Sequence, residues 1–551
     1  MDIGDAIERK EQSGHVILVS IDFLDSKMAL RPLIAICGPT GVGKSKLAIE
    51  LALHLSQQGF SHGWHGAKVI NADAMQVYDG MPAITNKVTQ EEMQGVPHVL
   101  MGFKAPNEQY VVGQWVRDAM AEVEDAHHKK QVPIVVGGTS YWLQHLLFPN
   151  RLAQDSPTDV RSERTSEPLS DRLTQSISSL PSDLLDLFNA LPDPPPSADT
   201  DPEAAYALYK LLKELDDAVA QRWHWKDTRK VIRSLRIIQE SGRKPSEIID
   251  EQSQEELRPR YRTLCFWIYA NPDVLKPRLD LRVDRMIGQG LLDEVRELLR
   301  VAKTLAPATQ ENGELTSDYT FGIYQSIGKV FFFQKILLSM TLYTIGYREF
   351  HKYLALPEPS GKEFATALEK MKTSTRQYAK KQVSWLRNTL LPALYAANKP
   401  KQTSWTYLLD ATELGDHWST NVQQPALKLC DSFLNHEILP DPLSLSDTAK
   451  QVLGAIKEKP TDPNALLNAH KKVTCPVCTV NPEQPYMVEE GEKWDVHVKG
   501  RAHRRKLAKQ KHATRQEHKR RTSLDQPRTG NSDEEQDTLS QPESELDYGP
   551  S

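Results

Sequence analysis

The sequence predicts an α/β protein built around a parallel sheet, and three apolar runs lead to this fold class. The run at 33–37 is followed by a glycine-rich turn and then by the helix-like segment 46–53. The runs at 68–72 and 133–136 also end in polar or glycine-rich turns. Buried strands that alternate with helices are typical of a parallel sheet whose two faces are covered by helices.

The turn after the first predicted strand has the pattern of a phosphate-binding loop, or P-loop. Its residues are Gly38, Pro39, Thr40, Gly41, Val42, Gly43, Lys44 and Ser45. The glycines let several N–H groups point into one concavity, and the helix that follows adds the positive end of its dipole. Lys44 supplies a mobile cation, and Ser45 is the hydroxyl that ligates Mg²⁺ in such loops. We therefore predict a P-loop NTPase-like parallel sheet core that binds a di- or triphosphate.

The turns after the next two predicted strands carry further polar residues. The first includes Asp73 within the string 71–78, Asn-Ala-Asp-Ala-Met-Gln-Val-Tyr, and the second is Gly137-Gly138-Thr139. Together with the P-loop and the string 85–87, Thr-Asn-Lys, these blocks resemble the tRNA isopentenyltransferase family, also called tRNA dimethylallyltransferases. Further blocks that resemble the family lie at 223–235, 241–247, 282–286, 290–295 and 377–385. The resemblance spans roughly residues 32 to 390.

The resemblance implies a reaction and a set of residues. The reaction transfers a dimethylallyl group from dimethylallyl diphosphate to N6 of the adenosine 3′-adjacent to the anticodon in tRNA. Because that amine is a poor nucleophile, a carboxylate that accepts its proton assists the transfer. The implied catalytic residues are Asp73, Thr40, Arg233 and Thr139, and the implied donor-binding residues are Gly38, Thr40, Gly41, Val42, Gly43, Lys44 and Ser45. The implied tRNA-binding residues are Asp73, Ala74, Met75, Gln76, Arg229, Lys230 and Arg233.

Several of these residues have a simpler alternative role. Asp73 could ligate Mg²⁺ or cap the turn that follows it, and Gln76 could satisfy backbone groups instead of holding the target base. The cationic residues of 229–233 could form the solvated face of a helix. Trp223 and Trp225 also depart from the family string, which usually reads Ile-His-Pro-Asn-Asp here. This departure concerns the shape of the turn and not the reaction.

Two other functions compete with tRNA prenylation. An adenylate isopentenyltransferase uses the same donor but a free nucleotide as the acceptor, and it has no need of a large inserted lobe or of a basic tail. A P-loop protein that binds RNA without catalysis is the second alternative. Intact Lys44, Ser45, Asp73 and Arg233 argue against it.

A second group of residues with metal-binding spacing lies near the end of the chain. Cys475 and Cys478 form a Cys-x2-Cys pair, and His497 and His503 follow as His-x5-His. Two thiolates and two imidazoles suit tetrahedral Zn²⁺, and four closed ligands are typical of a structural site. The five-residue histidine spacer requires a loosened helix, which Gly500 allows. We therefore predict a Cys2His2 zinc finger.

Composition and charge restrict the remaining possibilities. The formal net charge is -5, yet residues 499–521 hold eleven Lys or Arg and one acid. Such a run neutralises nucleic-acid phosphates or serves as a nuclear-import signal.

The five cysteines of the chain favour a reducing compartment and not a disulfide framework. We expect a monomer that does not span a membrane and that works in the cytoplasm and nucleus, with the mitochondrion as a further compartment.

The predicted organisation follows shifts in composition along the chain. It comprises an N-terminal extension at 1–31, the first part of the core at 32–150, an inserted mainly helical tRNA-binding lobe at 151–222, the second part of the core at 223–392, a connector at 393–470, the zinc finger at 471–506 and a basic, then acidic, disordered tail at 507–551. Met28 is an alternative initiator.

The second part of the core contains an atypical insertion at 329–346. It separates Gly328 from Tyr347, which adjoin each other in the family string. Its 18 residues are strongly apolar and end in a second Ile-Gly pair. We interpret it as a translated intron of 54 nucleotides, which sequencing of the transcript tests.

Overall fold

The computed structural model describes residues 30–57, 63–106, 108, 110–149, 171–255, 257–305, 345–401 and 403–524. The chain divides into two compact units, Met1–Lys471 and Lys472–Ser551. Within the described residues, no helix is both long enough and apolar enough to cross a membrane.

A six-stranded parallel sheet forms the centre of the first unit. Its strands are β1 Pro32–Cys37, β2 Ala67–Asn71, β3 His98–Val99, β4 Val132–Val136, β5 Arg262–Tyr269 and β6 Ser404–Asp410. Their order across the sheet is β3-β2-β4-β1-β5-β6, and every pairing is parallel. The predicted fold class is confirmed.

Helices surround the sheet and also form a group inserted between β4 and β5. Those before the insertion are α1 Lys44–Leu55, α2 Pro82–Thr85, α3 Gln90–Met93, α4 Val112–His128 and α5 Ser140–Leu147. The inserted helices are α6 Asp171–Ser178, α7 Ser182–Asn189, α8 Pro202–Leu215, α9 Asp217–Ala220, α10 Thr228–Ser241 and α11 Pro245–Gln254. Those after β5 are α12 Pro272–Gly288, α13 Leu291–Leu305, α14 Tyr347–Leu354, α15 Gly361–Trp385, α16 Leu391–Lys401, α17 Asp416–Trp418, α18 Gln424–Leu434, α19 Asp447–Gly454 and α20 Pro463–Ala469.

The core lies on both faces of the sheet because β1 alternates its side chains between them. Leu33, Ala35 and Cys37 belong to one buried apolar cluster, while Ile34 and Ile36 belong to another. A central strand buried on both faces is apolar throughout, as the sequence of β1 is. Successive side chains of a strand point to opposite faces, so this single strand anchors both layers of helices.

The inserted helical group is longer than the predicted lobe. Helix α10 packs on α8, although the predicted lobe ended at residue 222 and α10 begins at Thr228. The first residues of the predicted lobe, 151–170, lie outside the described residues.

The segment 393–470, predicted as a connector, instead contributes to the core. Its strand β6 pairs with β5 from Ser404 to Asp410, opposite Thr263 to Tyr269. The segment Ser-Trp-Thr-Tyr-Leu-Leu-Asp mixes hydroxyl and aromatic side chains, so it lacks the continuous apolar run that predicted β1, β2 and β4. Strands β3 and β5 were not predicted either.

The atypical insertion lies outside the described residues except for Ile345 and Gly346. Gly346 precedes α14 with a φ of 106°, and its N–H donates to Glu349 Oε2 at 2.8 Å. A Cβ there would come within 3.0 Å of Ile84 Cγ1. The position before Tyr347 therefore requires glycine, and excision of 329–346 would supply Gly328 in its place.

The second unit holds a β-hairpin and two helices. Strands β7 Lys472–Thr474 and β8 Met487–Glu489 pair antiparallel. Helix α21 Glu492–Lys499 ends at Gly500, which is extended, and α22 Arg501–Leu524 begins directly after it. The prediction of a disordered tail from residue 507 is therefore wrong for 507–524, which are helical, while 525–551 lie outside the described residues.

Candidate active site and candidate zinc centre

The carboxyl ends of the central strands meet around one cavity of about 520 Å³. The P-loop follows β1, the Asp73 turn follows β2, and Gly137-Gly138 follows β4. Since β2, β4 and β1 are neighbours in the sheet, their following turns lie side by side. The sequence therefore brings phosphate-binding and carboxylate groups into one site.

The P-loop adopts backbone conformations that favour glycine. Gly38 has a φ of 147°, and a Cβ at this position would overlap the carbonyl oxygen of Ile268. Thr40, Gly41, Gly43, Lys44 and Ser45 line the cavity, whereas Val42 is buried in the core. Of the predicted donor-binding residues, the loop therefore presents these five directly to a ligand.

Lys44 is a cation held at the wall of the cavity. Its Nζ donates to the carbonyl oxygen of Pro39 at 2.8 Å. Burial lowers the pKa of Lys44 to about 8, although the charge of Asp73 acts to raise it. An anionic ligand would favour the charged ammonium.

Asp73 uses one carboxylate oxygen to hold its own turn. Its Oδ1 accepts a hydrogen bond from the N–H of Met75 at 2.9 Å. Within the described part of the chain, Oδ2 accepts no hydrogen bond. The carboxylate lines the cavity, so capping the turn and accepting a proton from a ligand are compatible roles.

Thr139 and Gln76 support the turns around the cavity. Thr139 Oγ1 accepts from the N–H of Ala74 at 3.1 Å, but Thr139 is not among the residues that line the cavity. The Gln76 side-chain amide donates to the carbonyl oxygens of Thr85 and Asn86, at 3.3 and 3.0 Å. Gln76 lines the cavity while its amide nitrogen satisfies backbone groups.

The predicted cationic residues of α10 are not at this cavity. Arg233 is about half exposed and lies 3.7 Å from Glu240 Oε2, and Lys230 pairs with Asp227 at 2.7 Å. Burial lowers the pKa of Arg229. Their roles toward the diphosphate and tRNA stay predictions.

Arg282 occupies the cavity instead, and sequence reasoning assigned it no role. It lies on α12 between the buried residues Leu279 and Met286, so its spacing puts it on the apolar side of the helix. Its guanidinium makes no hydrogen bond to the described residues. Burial lowers the pKa of Arg282, and the charge of Asp73 acts to raise it. A basic residue on a buried helical stripe was the signal that could have identified it.

Gln382 was missed in the same way. It continues the buried stripe of α15 formed by Met371, Thr375 and Ala379, and it contacts both the P-loop and the Gly137-Gly138 turn. A polar residue at a buried helical position needs hydrogen-bond partners.

The oxygen donors at the cavity fit a magnesium ion. The hydroxyl of Ser45 makes no hydrogen bond to the described residues, and the carboxylate of Asp73 faces the same cavity. Mg²⁺ prefers such oxygen ligands and keeps several waters or phosphate oxygens.

The four predicted zinc ligands of the second unit lie together. The ligand atoms of Cys475, Cys478, His497 and His503 are all within 4.8 Å of one another. His503 Nδ1 is 3.5 and 3.6 Å from the two sulfurs and 3.1 Å from His497 Nε2. Tetrahedral zinc with ordinary bond lengths separates sulfur and nitrogen ligands by about 3.5 Å. The break at Gly500 allows both histidines to reach this centre, so the residues fit Zn²⁺.

The fold and the cavity define an α/β protein whose P-loop shares one cavity with the carboxylate of Asp73. Residues 76–389 match the model of the IPP transferase family. The chain is 33% identical over 489 residues to the tRNA dimethylallyltransferase of Schizosaccharomyces pombe, covering 88% of this chain and 96% of that one. It is 32% identical over 481 residues to the Saccharomyces cerevisiae protein of the same name, covering 87% and 92%.

A solved structure has a similar fold. It is that of a eukaryotic dimethylallyltransferase acting on tRNA, with a TM-score of 0.64 and 28% identity, and the match covers 89% of this chain and all of that one. The chain belongs to the IPP transferase family.

Proposed function

We propose that this protein transfers a dimethylallyl group from dimethylallyl diphosphate to tRNA. The acceptor is N6 of the adenosine 3′-adjacent to the anticodon. The observation that carries the proposal is the single cavity that the P-loop shares with Asp73. Relatives that cover nearly the same length are named for this activity, which supports it further.

The diphosphate end of the donor is bound by cations and backbone N–H groups. The P-loop supplies N–H groups at the start of α1, and Lys44 and Arg282 both face the cavity. Groups already aimed at the diphosphate stabilise the charge that grows on it as it leaves. Mg²⁺, held by Ser45, would neutralise part of this charge.

The prenyl end of the donor meets an apolar wall. Met75, Met101, Met286 and Met371 line the same cavity. Methionine side chains are flexible and polarizable, so they adapt to a small branched hydrocarbon. An apolar lining also disfavours bound water, which would otherwise compete with the amine for the activated carbon.

The acceptor amine reacts beside Asp73. Its N6 forms a bond to C1 of the dimethylallyl group as the bond from C1 to the diphosphate oxygen breaks, and the electron pair leaves with the diphosphate. The proton lost from N6 goes to Asp73 Oδ2, the oxygen not used by the turn. Thr139 acts by holding Ala74, next to this carboxylate.

The second unit binds the body of the tRNA. Zn²⁺ bound by its two cysteines and two histidines would hold the finger folded. The described part of helix α22 that follows exposes Arg504, Arg505, Lys509 and Arg515, which suit contacts with RNA phosphates.

The function is tested with labelled dimethylallyl diphosphate offered with bulk tRNA or with AMP. We expect label in tRNA and none in AMP. Transfer to AMP would favour the adenylate enzyme, and label in neither acceptor would favour an RNA-binding protein without catalysis. The Lys44→Ala variant is the control for dependence on the P-loop.

A further inference from the structure

One buried side chain joins the two halves of the reaction site. Gln382 lies on α15 and is 5% exposed. Its Oε1 accepts a hydrogen bond from the N–H of Thr40 at 2.8 Å, and its Nε2 donates to the carbonyl oxygen of Gly138 at 3.0 Å. The two loops follow different strands, β1 and β4, so these hydrogen bonds bridge segments that are distant along the chain.

The turn that contains Gly138 also contacts the turn that carries the Asp73 carboxylate. Thr139 accepts a hydrogen bond from the N–H of Ala74, which follows Asp73. A Cβ on Gly138 would lie only 3.1 Å from Asp73 Oδ2 and would overlap the Gln382 amide. The bridge therefore connects the loop that holds the leaving group with the turn that carries the proton acceptor.

The two partners determine the orientation of the amide. The N–H of Thr40 can only donate, and the carbonyl of Gly138 can only accept. Only a side chain with one acceptor and one donor satisfies both. An ionised glutamate has no donor for Gly138, methionine has the length but neither group, and asparagine is one methylene short. An unpartnered backbone group in this buried place costs free energy, so the loops shift when the bridge is broken.

We propose that Gln382 is a positioning residue that sets the separation between the P-loop and the Asp73 turn. The inference rests on the proposed transfer reaction, in which the amine must approach C1 in line with the departing diphosphate. Reacting groups misplaced by about 1 Å lose about a hundredfold in rate. The P-loop can still bind the donor, and the Asp73 turn can still receive the acceptor base. We therefore expect kcat to fall while both KM values stay nearly unchanged.

The test compares two substitutions of similar size. Gln382→Met removes both hydrogen bonds, whereas Gln382→Glu keeps the acceptor for Thr40. Matched controls are Gln451→Met and Gln451→Glu, since Gln451 is exposed on α19. Steady-state transfer is measured with labelled dimethylallyl diphosphate and bulk tRNA, and thermal unfolding checks that each variant is folded.

We expect Gln382→Met to lower kcat about a hundredfold, with both KM values within about threefold of the wild type. As the pH falls, the activity of Gln382→Glu should recover relative to that of the wild type at the same pH, because a protonated carboxyl can donate to Gly138 again. The same pH change should not restore Gln382→Met. Unchanged kcat, or a loss confined to KM, would overturn the inference.

Hydrogen–deuterium exchange separates this inference from the proposed function. Exchange in residues 38–43 and 137–139 should rise in Gln382→Met and not in Gln451→Met, whether or not the wild-type protein transfers a prenyl group. Unchanged exchange in both loops would refute the bridge. A wild-type protein without transfer activity would refute the proposed function alone.

Discussion

The indole ring of Trp418 packs against Gly43 of the P-loop. A Cβ at position 43 would overlap the ring, and Gly43 has a φ of 94°. Trp418 is fixed in turn, because its Nε1 donates to the Glu50 carboxylate at 3.0 Å and Lys46 Nζ lies 4.6 Å from the ring centroid. A residue that follows the last strand of the sheet thus supports the loop that follows the first.

This contact predicts the effect of Gly43→Ala. The new methyl group meets both the left-handed backbone conformation and the indole ring, so we expect a loss of about 1–3 kcal/mol in unfolding free energy. Donor KM should also rise, because the strain lies within the loop backbone and changes the directions of its N–H groups relative to one another, whereas a shift of the whole loop keeps them. Gly454→Ala is the control, since nothing lies within 4 Å of a Cβ there. Equilibrium unfolding that gave equal stability for both variants would contradict this account of the contact.

Asp73→Asn tests the proton acceptor without disturbing the turn. The amide oxygen of asparagine can still accept the hydrogen bond from Met75 N, so the unfolding temperature should stay close to that of the wild type. Transfer should fall by about two to four orders of magnitude, the range typical of a lost general base. tRNA binding should persist. Near-normal turnover would exclude Asp73 as the acceptor of the proton.

The variants Arg282→Gln and Arg233→Gln test which of the two arginines binds the diphosphate of the donor. Arg282 lines the cavity, while Arg233 is on α10 beside Glu240. Loss of a charge-assisted hydrogen bond costs about 1.5–3 kcal/mol, so donor KM should rise by about 10- to 150-fold in Arg282→Gln. We expect Arg233→Gln to leave it nearly unchanged. A larger rise in Arg233→Gln would support the role that the family resemblance implies for that residue.

The pH dependence of donor binding should follow Lys44. Its pKa of about 8 means that it loses its charge as the pH rises through that value, so donor KM should increase by up to about tenfold per pH unit above pH 8. Lys44→Arg should abolish this slope, because arginine stays charged. A slope equal to that of the wild type would assign the titration to another group.

The lowered pKa of Lys44 weakens donor binding as the pH rises, but it makes the ligand-free protein more stable with rising pH over the same range. The folded pKa lies below the ordinary 10.5, so the unfolded chain binds more protons between pH 8 and 10.5. The contribution of Lys44 to the free energy of unfolding therefore rises with pH in this window. Denaturant unfolding of the wild type and of Lys44→Arg at pH 7.5 and 9.5 measures it.

Strands β1, β2 and β4 and their turns could be predicted because each is a local run of apolar residues that ends in a polar or glycine-rich turn. The contacts of Trp418 and Gln382 could not, because each joins segments distant in sequence, and no local pattern records which helix residue meets which loop. The sequence signal for Arg282 is weaker: it is a cation among the apolar residues on the buried side of α12. Strand β6 was missed because its composition is mixed, and its pairing with β5 determines its structure.

Cys475→Ser tests the metal centre of the second unit. Loss of one ligand should release Zn²⁺ and unfold this unit, because metal binding supplies the folding free energy of small zinc modules. Elemental analysis should then find no zinc, while Val480→Ser, at an exposed position of the same unit, should retain it. We expect tRNA KM to rise about tenfold, which corresponds to about 1.4 kcal/mol, with kcat nearly unchanged because the reacting groups belong to the first unit. A wild-type protein that carried no zinc, or a Cys475→Ser variant with normal tRNA KM, would refute this role.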